Sequence, residues 1–446
     1  MTGRPRAAWR NVVFLLYDLL LLLAGLVLVP FYLYRGVRYG KVRRGFRERL
    51  GWYAPERLAP LKGRRVVWLH AASVGETRAA IPLVQALKAA YPQDSLVVST
   101  VTETGHAIAG QIAEADLRLF FPFDLSWVVR RALRRIRPSL VVIVETEIWP
   151  NFVRLAHRQG IPVALVNGRI SDRSYPRYLR GRFFLRPILE SFSAFCMQTE
   201  QDAERIRQMG APPAKVEISR NLKFDMEVAV PDADEVQRLK DRFGLPTGGL
   251  VWVAGSTHGG EEEIIGDVFR DLVATGLPLV LVLVPRHPER GRMVAEMLES
   301  RGFSCTLRST LPANVDPLRS GDVLVGDTVG EMMQFYATAD VVFVGGSFVP
   351  VGGHNILEAA LLKKPVLFGP HMQNFKEIVK LLLDVEGGCQ VSDPAALKAQ
   401  LARLLRAPAL RRAMGEGGHA LLRQNAGATA HTLAALQRLL DRQDRG

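Results

Sequence analysis

The chain has 446 residues, more than one hydrophobic core usually organises, so two domains are expected. Apolar residues make up 48% and the formal net charge is +14, a balance that suits globular cores and an anionic partner: nucleic acid, a membrane surface or an acidic substrate. Cys196, Cys305 and Cys389 stand far apart without pairing or metal spacing, which excludes a disulfide framework and favours a reducing, cytoplasmic compartment.

The first element is a nearly continuous apolar run from Val12 to Tyr34, interrupted by Asp18 and long enough to cross a bilayer. Arg4, Arg6 and Arg10 precede it; Arg35, Arg38, Lys41, Arg43, Arg44, Arg47 and Arg49 follow it. The heavier downstream flank predicts that the body of the protein stays cytoplasmic. No small-residue cleavage site is present, so the run reads as an uncleaved anchor and not a signal peptide. Asp18 leaves open an in-plane helix instead. The basic cluster would also hold the body against anionic headgroups. No helix-turn-helix, zinc finger or aromatic–basic interleaving argues for nucleic acid.

From Arg65 onward, short apolar runs alternate with helix-length segments. Strands are predicted at Val66–Leu69, Ser95–Thr100, Ser139–Val144, Ile161–Val166 and Phe195–Gln198, with a helix over Arg78–Ala90. The pattern weakens near Val230–Asp234, a plausible linker. It restarts at Leu250–Ala254, Leu279–Val284, Asp322–Val325, Val341–Val344 and Pro365–Phe368. The tail, Pro394 to Arg442, reads as helices with Leu and Ala on one face. Strand–helix alternation of this kind indicates α/β domains with parallel sheets. There is no internal repeat or low-complexity segment.

In parallel sheets ligands bind at the carboxyl ends of the strands, and the polar residues collect there. The first domain offers His70-Ala-Ala-Ser-Val-Gly-Glu76 and Glu145-Thr-Glu-Ile-Trp-Pro-Asn151. The second offers loops opening at Gly255, Pro285, Gly326, Gly345 and Gly369. The stretch Gly345–Ala360, GGSFVPVGGHNILEAA, is the richest. Its glycines would leave backbone N–H groups uncovered before a helix predicted over Asn355–Lys363, a ready anion site. Asn355 and Glu358 fall on one face of that helix.

Arg286 would pair with a phosphate, and Glu331 and Glu358 would accept from sugar hydroxyls. Glu76 suits a general base for an acceptor hydroxyl if burial or a second carboxylate raises its pKa. The competing readings are a surface cation and helix-start acids. Asp232-Ala-Asp234 is a formal D-x-D away from any strand end, and the histidines lack paired-ligand spacing, so no metal site is expected. No G-x-S-x-G, P-loop or G-x-G-x-x-G occurs at these loops.

Together HAASVGE, VETEIWPN, NLKFD, GSTHGGEEE, PRHPER, GDTVGE, GGSFVPVGGHNILEAA and FGPHMQNFKE resemble the 3-deoxy-D-manno-octulosonic acid (Kdo) transferases of lipopolysaccharide synthesis. The resemblance runs from the anchor to about Asp393. It implies a GT-B fold, two Rossmann-like α/β domains facing across a cleft: 1–45 as anchor and basic flank, 46–229 as the N-terminal acceptor domain, and 230–446 as the C-terminal CMP-Kdo domain with the terminal helices. It implies inverting transfer of Kdo from CMP-Kdo to a lipid A precursor, lipid IVA, at the inner membrane, with anionic lipids nearby and without cofactor or metal. Carried over by motif, Glu76 is the proton acceptor, and Glu145 and Lys223 stabilise the transition state. Pro285, Arg286, Val329, Gly330, Glu331, Asn355, Ile356, Leu357 and Glu358 hold CMP. HAASVGE and GDTVGE depart from the family only at apolar positions. Another GT-B transferase using a UDP-sugar and a lipid acceptor, or a membrane-tethered scaffold without turnover, remains an alternative; competition by CMP against UDP, and turnover itself, separate them.

Overall fold

Short strands alternate with helices through both halves of the chain, because each apolar run is too short for a helix, and the interior strands are covered on both faces. The computed structural model describes residues 14–26, 45–226, 229–312 and 316–443. The chain divides into two compact units, Met1–Met226 with Gly427–Gly446, and Glu227–Ala426.

The first unit holds β1 (Val66–His70), β2 (Ser95–Thr100), β3 (Leu117–Phe120), β4 (Leu140–Val144), β5 (Val163–Gly168), β6 (Ala194–Met197) and β7 (Val216–Ile218). They lie in the order β3-β2-β1-β4-β5-β6-β7, all neighbours parallel. Side chains alternate between two cores: Val66 and Trp68 join Val141 and Phe152 on one face, Val67 and Leu69 join Val142 and Leu83 on the other.

The second unit holds β8 (Leu250–Thr257), β9 (Leu279–Pro285), β10 (Ser304–Leu307), β11 (Asp322–Val325), β12 (Val341–Val344), β13 (Val366–Phe368) and β14 (Gly388–Gln390). Their order is β10-β11-β9-β8-β12-β13-β14, again all parallel. In each sheet the winding direction reverses once, between β1 and β4 and between β8 and β12. A crevice at the carboxyl ends of such a reversal is where open α/β sheets take ligands.

The final helix departs from the expected division. Ala428–Gln443 packs into the first unit, with Ala435, Leu436, Leu439 and Leu440 among its core residues. Asp225, the last residue of NLKFD, accepts from the Gly427 N–H at 2.7 Å and from the Thr429 N–H, capping that helix. The D-x-D is also structural: Asp232 caps the helix Ala233–Phe243, accepting from the Glu235 N–H at 2.8 Å.

Residues 14–26 are helical. Phe14 is buried against Phe184 and under Arg154, whereas Leu15, Leu19, Leu23 and Leu26 are exposed. Asp18 is seated on the body of the first unit, accepting from the Ser126 N–H at 3.0 Å and Asn151 Nδ2 at 2.7 Å. Tyr17 donates to Asp124 Oδ2 at 3.1 Å. The rest of the expected anchor, 12–13 and 27–34, and the basic flank 35–44 lie outside the described residues. Among the described residues no helix is long and apolar enough to cross a membrane.

Candidate active site

Glu76 lies just after β1, in the first turn of the helix Val74–Ala90. Ser73 Oγ accepts from the Glu76 N–H at 3.4 Å, and the Glu76 carboxylate accepts from Ser73 Oγ–H at 2.9 Å and the Ala72 N–H at 2.6 Å. This reciprocal cap explains why the helix begins at Val74 and not at the predicted Arg78. Burial raises the Glu76 pKa most, Glu145 and then Glu147 raise it further, and the Ser73 and Ala72 hydrogen bonds only partly oppose them; the result is about 7. At that value the carboxyl can take up a proton near neutral pH.

Glu145 is the first residue after β4, across the reversal from β1. Its φ of 59° is left-handed, which for a residue with a β-carbon costs on the order of 1–2 kcal/mol. Its carboxylate is held by Lys223 Nζ at 2.9 Å. Burial, then Glu145, push the Glu147 pKa up as well. The three acid and base residues read from the motifs therefore meet at the carboxyl ends of β1 and β4.

Sequence reasoning missed what positions Lys223. The Leu222 N–H donates to Asn167 Oδ1 and the Lys223 N–H to Asn221 Oδ1, each at 3.0 Å. Asn221 Nδ2 donates to Gln198 Oε1, and Gln198 Nε2 to the Asn167 carbonyl, also at 3.0 Å. Asn167 has φ 53° at the end of β5, and Asn tolerates that conformation better than most residues. Its place before Gly168 at the end of an apolar run was the available signal. His70, in the same motif as Glu76, is a support: fully buried, it stacks on Phe121 with centroids 3.8 Å apart.

The glycine-rich loop of the second unit corrects an expectation. The N–H groups of Gly346, Ser347 and Phe348 are not open to a phosphate; they donate to the Glu261 carboxylate at 2.7, 2.9 and 2.8 Å. The His258 N–H donates to the same group at 3.0 Å. Burial pushes the Glu261 pKa up, and these backbone hydrogen bonds oppose it. The following helix is also shorter than predicted, Leu357–Leu361. Asn355 precedes it, its Oδ1 accepting from the Leu357 N–H at 3.2 Å, so Asn355 and Glu358 do not share one helix face. Ile356 and Leu357 are core residues with 0% exposure, backbone included.

Glu331 likewise differs from the free sugar-binding acid expected. Arg242 Nη2 and Arg308 Nη2 reach Oε1 at 2.7 and 3.0 Å; Arg308 Nε and Thr328 Oγ1 reach Oε2 at 3.1 and 2.5 Å. These contacts use the acceptor capacity of a carboxylate. The side chain thus holds the turn at Gly330, whose φ is 93°, beside the exposed Val329. Pro285 ends β9, and the Arg286 N–H donates to the Thr257 carbonyl at 2.9 Å, tying the loops after β8 and β9. Among the described residues no three His, Cys, Asp or Glu side chains converge as a metal site requires.

Residues 44–226 match the family model described as 3-deoxy-D-manno-octulosonic-acid transferase (kdotransferase). The chain is 36% identical over 429 residues to the 3-deoxy-D-manno-octulosonic acid transferase of Haemophilus influenzae, covering 95% of this chain and 96% of that one. It is 37% identical over 390 residues to that of Bordetella pertussis, covering 85% and 88%. A solved glycosyltransferase from Rickettsia africae superimposes with a TM-score of 0.56 at 12% identity, covering 85% of this chain and 98% of that one. A UDP-GlcNAc 2-epimerase from Neisseria meningitidis gives 0.56 at 13% identity, covering 84% and 100%. At such identities the two structures speak for the fold alone.

Proposed function

The chain belongs to the 3-deoxy-D-manno-octulosonic acid (Kdo) transferase family and is a glycosyltransferase of the GT-B fold class, and on that premise we propose that it transfers Kdo from CMP-Kdo to lipid IVA with inversion. The observation that carries this reading is Glu76, a carboxyl raised to about 7 beside Glu145. As base, Glu76 removes the proton from the acceptor hydroxyl while that oxygen bonds to the anomeric carbon of Kdo. The bond from that carbon to the CMP phosphate breaks, and the electron pair leaves with CMP. Attack from the face opposite the leaving group inverts the centre.

Lys223, oriented by Glu145, supplies fixed positive charge for the transition state. The donor occupies the second unit at Pro285 and Arg286, Val329 to Glu331, and Asn355 to Glu358, with Arg286 toward its phosphate. Ile356 and Leu357, fully buried, anchor that last stretch in the core. Fixed cations take the place of a divalent metal, and no cofactor is used. The reaction belongs to the inner membrane, with the catalytic body cytoplasmic. The outward leucines of residues 14–26 and the arginines that follow bring the protein to anionic lipid.

The test is transfer from CMP-Kdo to lipid IVA by detergent-solubilised protein in the presence of a chelator, with products weighed by mass spectrometry. A mass gain of whole Kdo units is expected. Glu76→Ala should abolish it while CMP still binds. Transfer from a UDP-sugar and none from CMP-Kdo would overturn the reading, as would equal loss of CMP binding in the variant.

A further inference from the structure

The reversal point of the second sheet, between β8 and β12, carries a feature that the transfer chemistry above does not use. His258 follows β8 and His354 lies in the loop after β12. Their Nε2 atoms are 2.8 Å apart, and their ring planes are within 5° of parallel, with centroids 5.1 Å apart. In-plane approach of two Nε2 atoms at that distance is a hydrogen bond, so one ring carries its proton on Nε2 and the other is bare there.

The surroundings hold this geometry. Gly346 has φ 65°, and a β-carbon on it would lie 2.9 Å from His354 Nε2 and 3.5 Å from the His258 ring, so only glycine fits under the pair. Glu261 binds the N–H groups of both Gly346 and His258, and the Gly353 N–H donates to the Gly346 carbonyl at 2.8 Å. One buried carboxylate thereby ties both histidine loops together.

The charges facing the pair are mostly positive. Arg286 and His287 act on both rings, and Arg290 acts on His258. The nearby carboxylates are committed: Glu262 binds Arg290 at 2.7 and 3.1 Å and Thr257 at 3.2 Å, and Glu261 is taken by the backbone. Burial first, then Arg286, push the His354 pKa down to about 3; burial, then His287, lower that of His258. Both rings are half-buried, so water can deliver a proton.

The hydrogen bond limits how much charge the pair can hold. A first added proton goes to Nδ1 of the ring that donates, and the Nε2–H to Nε2 bond survives as a stronger, charge-assisted one. A second would set two N–H groups against each other. We propose that His258 and His354 form a single-proton acceptor coupled to donor binding, neutral beforehand and gaining one proton when an oxyanion of the donor sits against Arg286. This rests on the reading that the second unit binds the donor. The anion offsets Arg286 and so restores the pair's affinity for a proton. Linkage gives the sign: with the pair's pKa low before binding and raised after, affinity falls as pH rises through the raised value.

The oxyanion is either the donor's phosphodiester or its sugar carboxylate, and two probes separate them. Isothermal calorimetry on the full chain in detergent uses the methyl ester of CMP, whose single charge does not change across this range, and free Kdo. Each is run in buffers of differing ionisation enthalpy from about pH 6 to about pH 8, the range in which histidine titrates. The expected result is net uptake approaching one proton per bound probe, and affinity that falls by up to about tenfold per pH unit. Uptake with the ester assigns the phosphate; uptake with Kdo alone assigns the carboxylate. His354→Asn and, independently, His258→Asn should bind with no uptake and a flat pH profile. Binding by the wild type without proton uptake, or uptake that persists in both variants, would overturn the coupling alone. Failure of the wild type to bind either probe would overturn the donor reading together with the coupling.

Discussion

Replacing Glu145 by Gln tests whether the acid pair at the end of β1 and β4 sets the working pH of the enzyme. A base must be ionised to act. With Glu76 at about 7, roughly one molecule in eleven is active at about pH 6 and ten in eleven at about pH 8. In the wild type, kcat should therefore rise about tenfold across that span. Burial is the larger cause of the raised value and stays in the variant; the Glu145 charge is the next and is lost. Lys223, no longer neutralised by Glu145, pulls in the same direction. The variant's acid limb should move down by about one pH unit, about 1.4 kcal/mol of differential stabilisation. At about pH 6, Glu145→Gln should then keep about half of its own plateau rate, where the wild type keeps about a tenth. The assay is initial rate of Kdo transfer at saturating CMP-Kdo, where the pH dependence of donor affinity drops out, with each protein normalised to its own plateau. A limb that stays in place or moves to higher pH would refute the assignment of Glu76 as the base in the field of Glu145.

Two further substitutions probe the scaffolds. Glu261→Ala strands four backbone donors in the second unit, at a cost of about 4 kcal/mol, and should lower that unit's calorimetric melting midpoint by on the order of 10 °C; a change within about 2 °C would show that water replaces the carboxylate. Asn167→Gly keeps the left-handed backbone but removes the acceptor for the Leu222 N–H, whereas Asn167→Ala also adds strain. Both should reduce kcat roughly tenfold through Lys223, and Ala should be less stable than Gly by about 1 kcal/mol in thermal melts; unchanged kcat in both would remove the network from the account.

The strands read from the sequence are interior ones, where both faces are covered and an unbroken apolar run results. Those passed over are β3, β7, β10 and β14, and these are the outer strands of the two sheets. Leu-Arg-Leu-Phe in β3 and Val-Glu-Ile in β7 carry a charge because an edge strand meets solvent on one side. The motif residues were legible because short polar loops at strand ends have few structural uses. Glu261 and the Gln198 and Asn221 network were not, since the partners that give them their roles lie tens of residues away; Asn167 before Gly168 left a local sign of its backbone but none of its partners. The capping box Ser73 to Glu76 was visible, and reading it would have placed the helix start correctly.

The return of the final helix to the first unit bears on how the protein is made. Topologically the second unit is an insertion within the first, entered at Glu227 and left at Ala426. On the ribosome its entire sequence is available before Gly427 has been added. The first unit, although begun earlier, lacks Ala428, Ala435, Leu436, Leu439 and Leu440 from one of its two cores until the segment after Ala426 has been made. Domains usually mature in the order in which they are synthesised. Here the later-made unit can finish first, and the unit bearing Glu76 and Lys223 waits for the helix Ala428–Gln443 to close its core.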